Sequence, residues 1–378
     1  MYLSYEFFVV EINMQNSVLE SDENIIFSGN IFVFHAFDVG DDINLEAIRT
    51  SNAVISQPLT LPKYFKNYHM PLAIDLPHPH SSGRFLSCKI HNFGAISFAY
   101  KIPFKDTLKN IRERIDELDD IYQEQSVNDV SAVFKKIKSY IAKPKFFQTR
   151  SSYLVIQVDP QPGRLDIARL KNQYGSIIAS MLRFETETLS EYHKEEMLED
   201  AIGYFRGDLI VIDTEATFMY DDEYEELLHL FEFCNIQQLE LRYFDRLLDQ
   251  QLNIIYEGKP HKLPLTAYLP FVASAGGSMG DLGKLRVDIS VIVERLEDSI
   301  KLVGEAYFSE LYQALVDKLD LKNWQESIAR KLTIIQDVRT VYQNQIDTIH
   351  EDLLSVLIII LIFIELVIGI LNYIKDVH

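Results

Sequence analysis

Six carboxylates crowd around two short apolar runs: Asp208, Asp213, Glu215, Asp221, Asp222 and Glu223. Carboxylates gathered in this way are the hard oxygen donors that hold Mg²⁺ for phosphoryl or hydrolytic chemistry. Asp208, Asp213 and Asp221 are the candidate ligands. The same residues have a plainer use, because Asp221–Glu223 falls where the N-terminus of a following helix favours negative charge. His69, His78, His80 and His91 flank a proline-rich stretch, and His78-Pro79-His80 could offer two imidazoles to a metal. No cysteine stands at zinc-site spacing and no H-E-x-x-H helix is present, so a solvated loop is the better reading. Ser274–Lys284 is glycine-rich but fails as a phosphate cradle. The first glycine of the pattern falls on Ser278, and Leu285 stands where Ser or Thr must follow the lysine. A flexible linker fits it better. No nucleophile elbow is visible, and no catalytic residue or cofactor is assigned.

Glu365 is the least ordinary residue. It interrupts Leu353–Leu371, 19 residues whose only polar side chains are Ser355 and Glu365. As a helix this stretch measures about 28 Å, close to the ~30 Å hydrocarbon core of a bilayer. Its sixteen Leu, Ile, Val and Phe residues favour insertion by at most roughly 5 to 9 kcal/mol, against about 3 for one charge near the middle. A transmembrane helix is therefore expected. Glu365 lies about 4.5 Å past its midpoint, too deep to reach water easily. Intramembrane acids usually face a partner or a cavity, so Glu365 is expected to mark a contact between copies, with Ile358 and Ile362 beside it. Only 372–378 follow, which describes a tail anchor.

The elements that would carry these residues read in order. Tyr5–Val10 and Ile31–Val39 have strand composition, and Asp41–Arg49 follows as a short helix capped by Asp41 or Asp42. Leu61–Ser82 is loop-like. Phe85–His91 and Ala95–Lys101 form a hairpin turning at 92–94. Asp106–Gln125 and Val130–Ile141 are two helices; Tyr153–Val158 is a strand; Ile167–Leu182 is helical. Leu189–Tyr204 is an acidic helix, Asp208–Asp213 and Thr217–Tyr220 a strand pair, and Asp222–Tyr256 a long helix. From Leu285 apolar residues step by three and four up to Leu315, break at 320–323, and resume through Tyr342, Ile346 and Ile349 into the span. This predicts an antiparallel helical hairpin, a coiled-coil stalk whose second arm runs on into the membrane. Two helices leave an apolar flank uncovered, so homo-oligomerisation through Tyr342, Ile346 and Ile349 is expected.

The fold class is thus α+β, a mostly antiparallel sheet with flanking helices, then an all-α hairpin ending in one span. The expected parts are a sheet domain at 1–160, an acidic helical segment with a strand pair at 161–270, a linker at 271–284, the stalk at 285–352, the span at 353–371 and a tail at 372–378. Net charge is −20, and Glu185–Glu257 holds 20 Asp/Glu against 4 Lys/Arg. Such a chain is ill suited to neutralising nucleic-acid phosphates and is repelled by anionic lipid. Two distant cysteines, Cys88 and Cys234, suggest no disulfide framework and fit a reducing compartment. The opening MYLSYEFFVVEI has no basic n-region, so the bulk is expected in the cytoplasm.

Several segments resemble the Rmd-type family of tail-anchored membrane proteins, named for "required for meiotic nuclear division". Ile31–Ile48, with Phe37-Asp38-Val39-Gly40, resembles its opening strand–turn–helix. Asp208–Asp213 followed by Asn235–Asp249 resembles its bacterial branch. Trp324–Ile328, Arg330–Leu332 and Leu357–Leu366 resemble its closing hairpin and anchor. The resemblance implies membrane association, self-assembly and no agreed catalytic residues, with mitochondrial members tied to organellar translation at the inner membrane.

Together these readings lead to a non-enzymatic scaffold at the bacterial inner membrane, self-assembled and showing an acidic cytoplasmic surface to a protein partner. The alternatives are a membrane-tethered metal-dependent hydrolase built on the 208–223 carboxylates, or an adaptor holding ribosomes at the membrane.

Overall fold

The structure, a computed structural model, describes residues 25–65, 70–77, 84–146, 149–161, 165–203, 205, 207–257, 283, 286–287, 289–294 and 306–376. The strand expected at Tyr5–Val10 lies outside these residues, as do nearly all of the 271–284 linker and His69, His78 and His80. The chain divides into two compact units, Met1–Tyr243 with Glu294–Asn323, and Phe244–Val293 with Trp324–His378.

The first unit is organised on β1, Phe27–Asp38. Its run of aromatic and β-branched residues is nearly continuous, because the strand is buried on both faces. β1 is followed by α1 (Leu45–Ser51), β2 (Leu72–Ile74), β3 (Phe85–Ile90), β4 (Ala95–Asp106) and α2 (Leu108–Ile137). Then come β5 (Arg150–Val158), α3 (Ile167–Leu182), α4 (Glu191–Glu199), β6 (Leu209–Ile212) and β7 (Ala216–Tyr220). The seven strands form one sheet in the order β2-β3-β4-β1-β5-β7-β6. Every pairing is antiparallel except β5 with β7. That parallel step needs a crossover, which α3 and α4 supply. The strand pair within 161–270 therefore belongs to the same sheet as the strands of 1–160.

Several local expectations are corrected. The cap of α1 is Asn44, whose Oδ1 accepts from the Ala47 N–H at 2.9 Å, rather than Asp41 or Asp42. The loop at 61–82 contains the three-residue strand β2. The two helices expected at 106–141 are the single helix α2. Polar Ser126, Asn128 and Asp129 look like a break in sequence. Instead the buried Ser126 hydroxyl donates to the Gln123 carbonyl at 2.8 Å, and buried Asp129 accepts from the Tyr100 hydroxyl at 2.7 Å. The acidic helix at 189–204 is shorter, spanning only α4.

Strand alternation gives the sheet two unlike faces. One carries Ile31, Val33, Phe98, Tyr100, Leu154 and Ile156, packed with Ile111, Ile115, Leu170 and Ile178 of α2 and α3. The other carries Phe32, Phe34, Lys89, Ser97, Tyr153 and Gln157: Phe32 meets Tyr224, Tyr153 meets Phe231 and Lys89 and Ser97 meet Glu232 of α5 (Glu225–Glu257), and Gln157 reaches the Asp221 carbonyl after β7. After α5 come α6 (Ala306–Lys318) and α7 (Leu321–Asp376), separated at Leu319 and Asp320, where Asp320 has φ of 58°. The break is thus shorter than expected and ends three residues sooner, because Leu321–Asn323 already belong to α7.

In the second unit, Phe244, Leu248 and Leu252 of α5 are buried, as are Ile328, Leu332 and Ile335 of α7. Lys331 joins the two helices, reaching Asp245 and Asp249 at 2.7 Å each, and Ser327 donates to Asp245 at 2.6 Å. Further along α7 the apolar stretch lies open: Ile358, Ile362 and Phe363 are 57%, 58% and 65% exposed.

Candidate functional site

β3 and β4 place Lys89 directly opposite Ser97, on the sheet face under α5. Glu232 descends from α5 onto both. The Lys89 ammonium forms an ion pair with one carboxylate oxygen of Glu232, and the Ser97 hydroxyl donates to the other at 2.7 Å. His91 Nε2 lies 3.1 Å from the same hydroxyl. With Ser97 donating to Glu232, His91 must be the donor to Ser97, so its Nε2 carries the proton. Burial holds His91 neutral, down to about 3. Glu232 is ionised: burial pushes its carboxyl up, but the Lys89 charge and the hydrogen bonds from Lys89 and Ser97 outweigh it. A void of about 10 Å³, close to the volume that one water needs, lies beside His91, Lys89, Glu232 and Phe65.

These four groups resemble a Ser/His/acid set only in composition. In a nucleophilic triad the acid orients the histidine and the histidine takes the serine proton. Here the acid holds the serine itself, and Ser97 is buried. The arrangement is a satisfied polar clamp between sheet and helix.

Next to the clamp is an open groove of about 280 Å³. Phe32 and Phe34 of β1, Leu59, Leu86 and Leu228 give it apolar walls, and Lys89 and Glu232 stand at its floor. Lys101 stands directly opposite Phe32 in the sheet. Its ammonium sits 5.6 Å from the Phe32 ring centre and 5.8 Å from that of Tyr224, and donates to the Tyr224 hydroxyl at 3.3 Å. His229 also lines the groove; burial and then the Lys89 charge hold it down to about 4, hence neutral at pH 7.

The 208–223 carboxylates are only partly brought together. Asp208 and Asp221 flank the paired ends Leu209 and Tyr220, whereas Asp213 follows the opposite end of β6. Asp208 accepts from the Phe205 N–H at 2.7 Å, Asp221 from the Glu223 N–H at 2.9 Å, and Asp213 pairs with Arg183 at 2.6 Å. Burial raises the carboxyls of both Asp213 and Asp221. Among the described residues no three His, Cys, Asp or Glu side chains gather as metal ligands. Acidity is also less superficial than its count suggests: Asp208, Asp213, Glu232, Glu240 and Asp245 are buried. Glu240 is pushed well above the usual carboxyl range by burial and by the neighbouring Asp38 charge.

Of the residues expected to mediate self-association, Ile346 and Ile349 are half-buried on α7, and Ile358, Ile362 and Glu365 are exposed. Tyr342 lies on the same helix.

Nothing in the sequence alone marked Lys89, Ser97 or Lys101. One signal was present for Glu232, an acid set inside the apolar run Leu230-Phe231-Glu232-Phe233-Cys234.

The profile of the family described as "Uncharacterized protein MJ0711, N-terminal domain" matches residues 28–226. The chain belongs to this family. The match begins in β1 and ends two residues into α5, so it takes in the whole seven-stranded sheet. The uncharacterized protein MJ0711 of Methanocaldococcus jannaschii is 25% identical over 196 residues, covering 51% of this chain and 59% of that relative. No solved structure matches. Membership in the MJ0711 N-terminal domain family overturns the Rmd-type resemblance. The segments behind that resemblance were a strand–turn–helix, an amphipathic helix and an apolar terminal helix, patterns that unrelated chains adopt for the same physical reasons.

Proposed function

We propose that the chain is a non-enzymatic, membrane-tethered scaffold that self-assembles and presents its MJ0711-type domain to a protein partner. The observation that carries this reading is the outer part of α7. This helix is long and apolar enough to cross a membrane, and its most apolar 18-residue window has none of its residues buried. Left in water it would be an aggregation hazard, and insertion removes that cost. Ile346 and Ile349, with Tyr342 on the same helix, provide one apolar stripe for a second copy, and Ile358 and Ile362, farther out and on another side of the helix, provide a second. Glu365 lies along it and finds a polar partner on the neighbouring helix. The body sits at the cytoplasmic membrane facing the cytoplasm, in keeping with its buried free thiols, Cys88 and Cys234. The exposed acids of Glu185–Glu257 form the surface offered to the partner.

Two measurements test this. Washing membranes with salt and carbonate should leave the full chain in the pellet; recovery in the supernatant would end the tether. Mass measurement in detergent should give an oligomer for the full chain and a smaller species for Glu365→Leu. An unchanged mass would remove Glu365 from the contact.

A further inference from the structure

The groove beside the Lys89–Glu232 clamp combines apolar walls with one half-buried charge that no carboxylate neutralises among the described residues. Glu232 cannot serve an incoming cation, because Lys89 and Ser97 occupy both of its oxygens. Lys89 is likewise spent on Glu232. Glu225 lines the rim but is exposed, where its charge is screened by water. Lys101 differs from all of these. It is half-buried, held over two aromatic rings, and no carboxylate among the described residues lies within ion-pair distance of it. Its one hydrogen-bond partner, the Tyr224 hydroxyl, is neutral. A cation that is positioned but not neutralised, at the mouth of an apolar recess, is what recognises an acid with a greasy body.

We propose that this groove binds a small amphipathic carboxylate, its head on the Lys101 ammonium and its apolar body between Phe32, Phe34, Leu86 and Leu228. The volume of about 280 Å³ holds roughly nine or ten non-hydrogen atoms if each takes the ~30 Å³ of a liquid water. An eight-carbon fatty acid is of that size. So is a monocyclic arylacetic acid, which offers the same chemistry from a soluble source. His229, neutral at pH 7, adds no charge to the groove wall.

The test uses the full chain in lipid nanodiscs, with empty discs subtracted for partitioning. Octanoate, phenylacetate and octanol are titrated by calorimetry. A carboxylate should bind at least tenfold more tightly than octanol, and the tighter of the two acids identifies the source. Lys101→Met keeps the apolar stem and removes the charge; it should weaken the carboxylate about tenfold and leave octanol unchanged. Leu86→Trp, at a half-exposed position that tolerates bulk, should fill the recess and abolish both. Equal binding of acid and alcohol, no binding of either acid, or an unchanged carboxylate affinity in a folded Lys101→Met chain would each overturn the proposal.

Discussion

The two faces of the sheet solve the same packing problem with opposite materials. Under α2 and α3 the contact is aliphatic and aromatic, with Phe98, Tyr100, Ile156 and Ile178 wholly buried. Under α5 the sheet presents Lys89, Ser97, Ser151, Tyr153 and Gln157, which are also buried. The polar face closes only because nearly every group has a specific partner. Ser151 meets Gln238 at 3.1 Å, Tyr153 donates to the Asp213 carbonyl at 3.0 Å, and Gln157 reaches the Asp221 carbonyl at 2.9 Å. Apolar packing tolerates many arrangements of similar volume, whereas a buried hydrogen-bond network tolerates few. The apolar face thus supplies most of the stability, and the polar face fixes where α5 sits.

The largest expected effect is on the apolar face. Phe98→Ala leaves a cavity at a fully buried ring and should cost about 3 to 5 kcal/mol, read as a fall in the thermal midpoint by circular dichroism. Next is the polar face. Glu232→Gln strands the Lys89 charge and should cost about 3 kcal/mol, while the double change Lys89→Met with Glu232→Leu should recover most of it. If the single and double variants melted together, the clamp would be no more than ordinary packing.

The smallest effect has the opposite sign. His35 lies on the apolar face, its ring 6.3 Å from Tyr100, and neither ring nitrogen finds a hydrogen-bond partner among the described residues. His35→Leu should therefore stabilise the fold by about 1 kcal/mol at pH 7. Burial, and then the Arg150 charge, hold the folded His35 down from 6.5 to about 3. The unfolded chain therefore takes up that proton first. Stability from this residue is complete above pH 6.5 and drains away as pH falls toward 3. The leucine variant lacks that loss, so its advantage should widen below pH 6.5. An advantage that stayed constant in denaturation curves at pH 7 and pH 5 would place the His35 proton elsewhere.

Much of this architecture was legible in the residues. The Asn92–Gly94 hairpin, α3 to the residue, the β6–β7 pair and the apolar end of α7 all announced themselves through periodicity and turn chemistry. The misses share a cause, which is separation along the chain. The parallel pairing of β5 with β7 depends on where α3 and α4 carry the backbone, and no local pattern encodes that. The clamp unites Lys89 with Glu232 across 143 positions, and although Glu232 sits inside an apolar run, no local pattern ties it to Lys89. The carboxylates at 208–223 misled in the reverse direction. Close in sequence, they are split by β6, with Asp213 at one end and Asp208 at the other.

β1 sits in the middle of the sheet, and its neighbours β4 and β5 are both encoded later. On a ribosome adding 5–20 residues each second, β5 is finished roughly 6 to 24 s after β1. Throughout that interval Phe32-Val33-Phe34-His35-Ala36-Phe37 waits with at least one bare edge, a short uncharged segment of the kind that seeds intermolecular stacking. Slow translation or crowded expression should therefore hurt the yield of this chain more than its final stability suggests, and a holdase that shelters nascent strands should restore it.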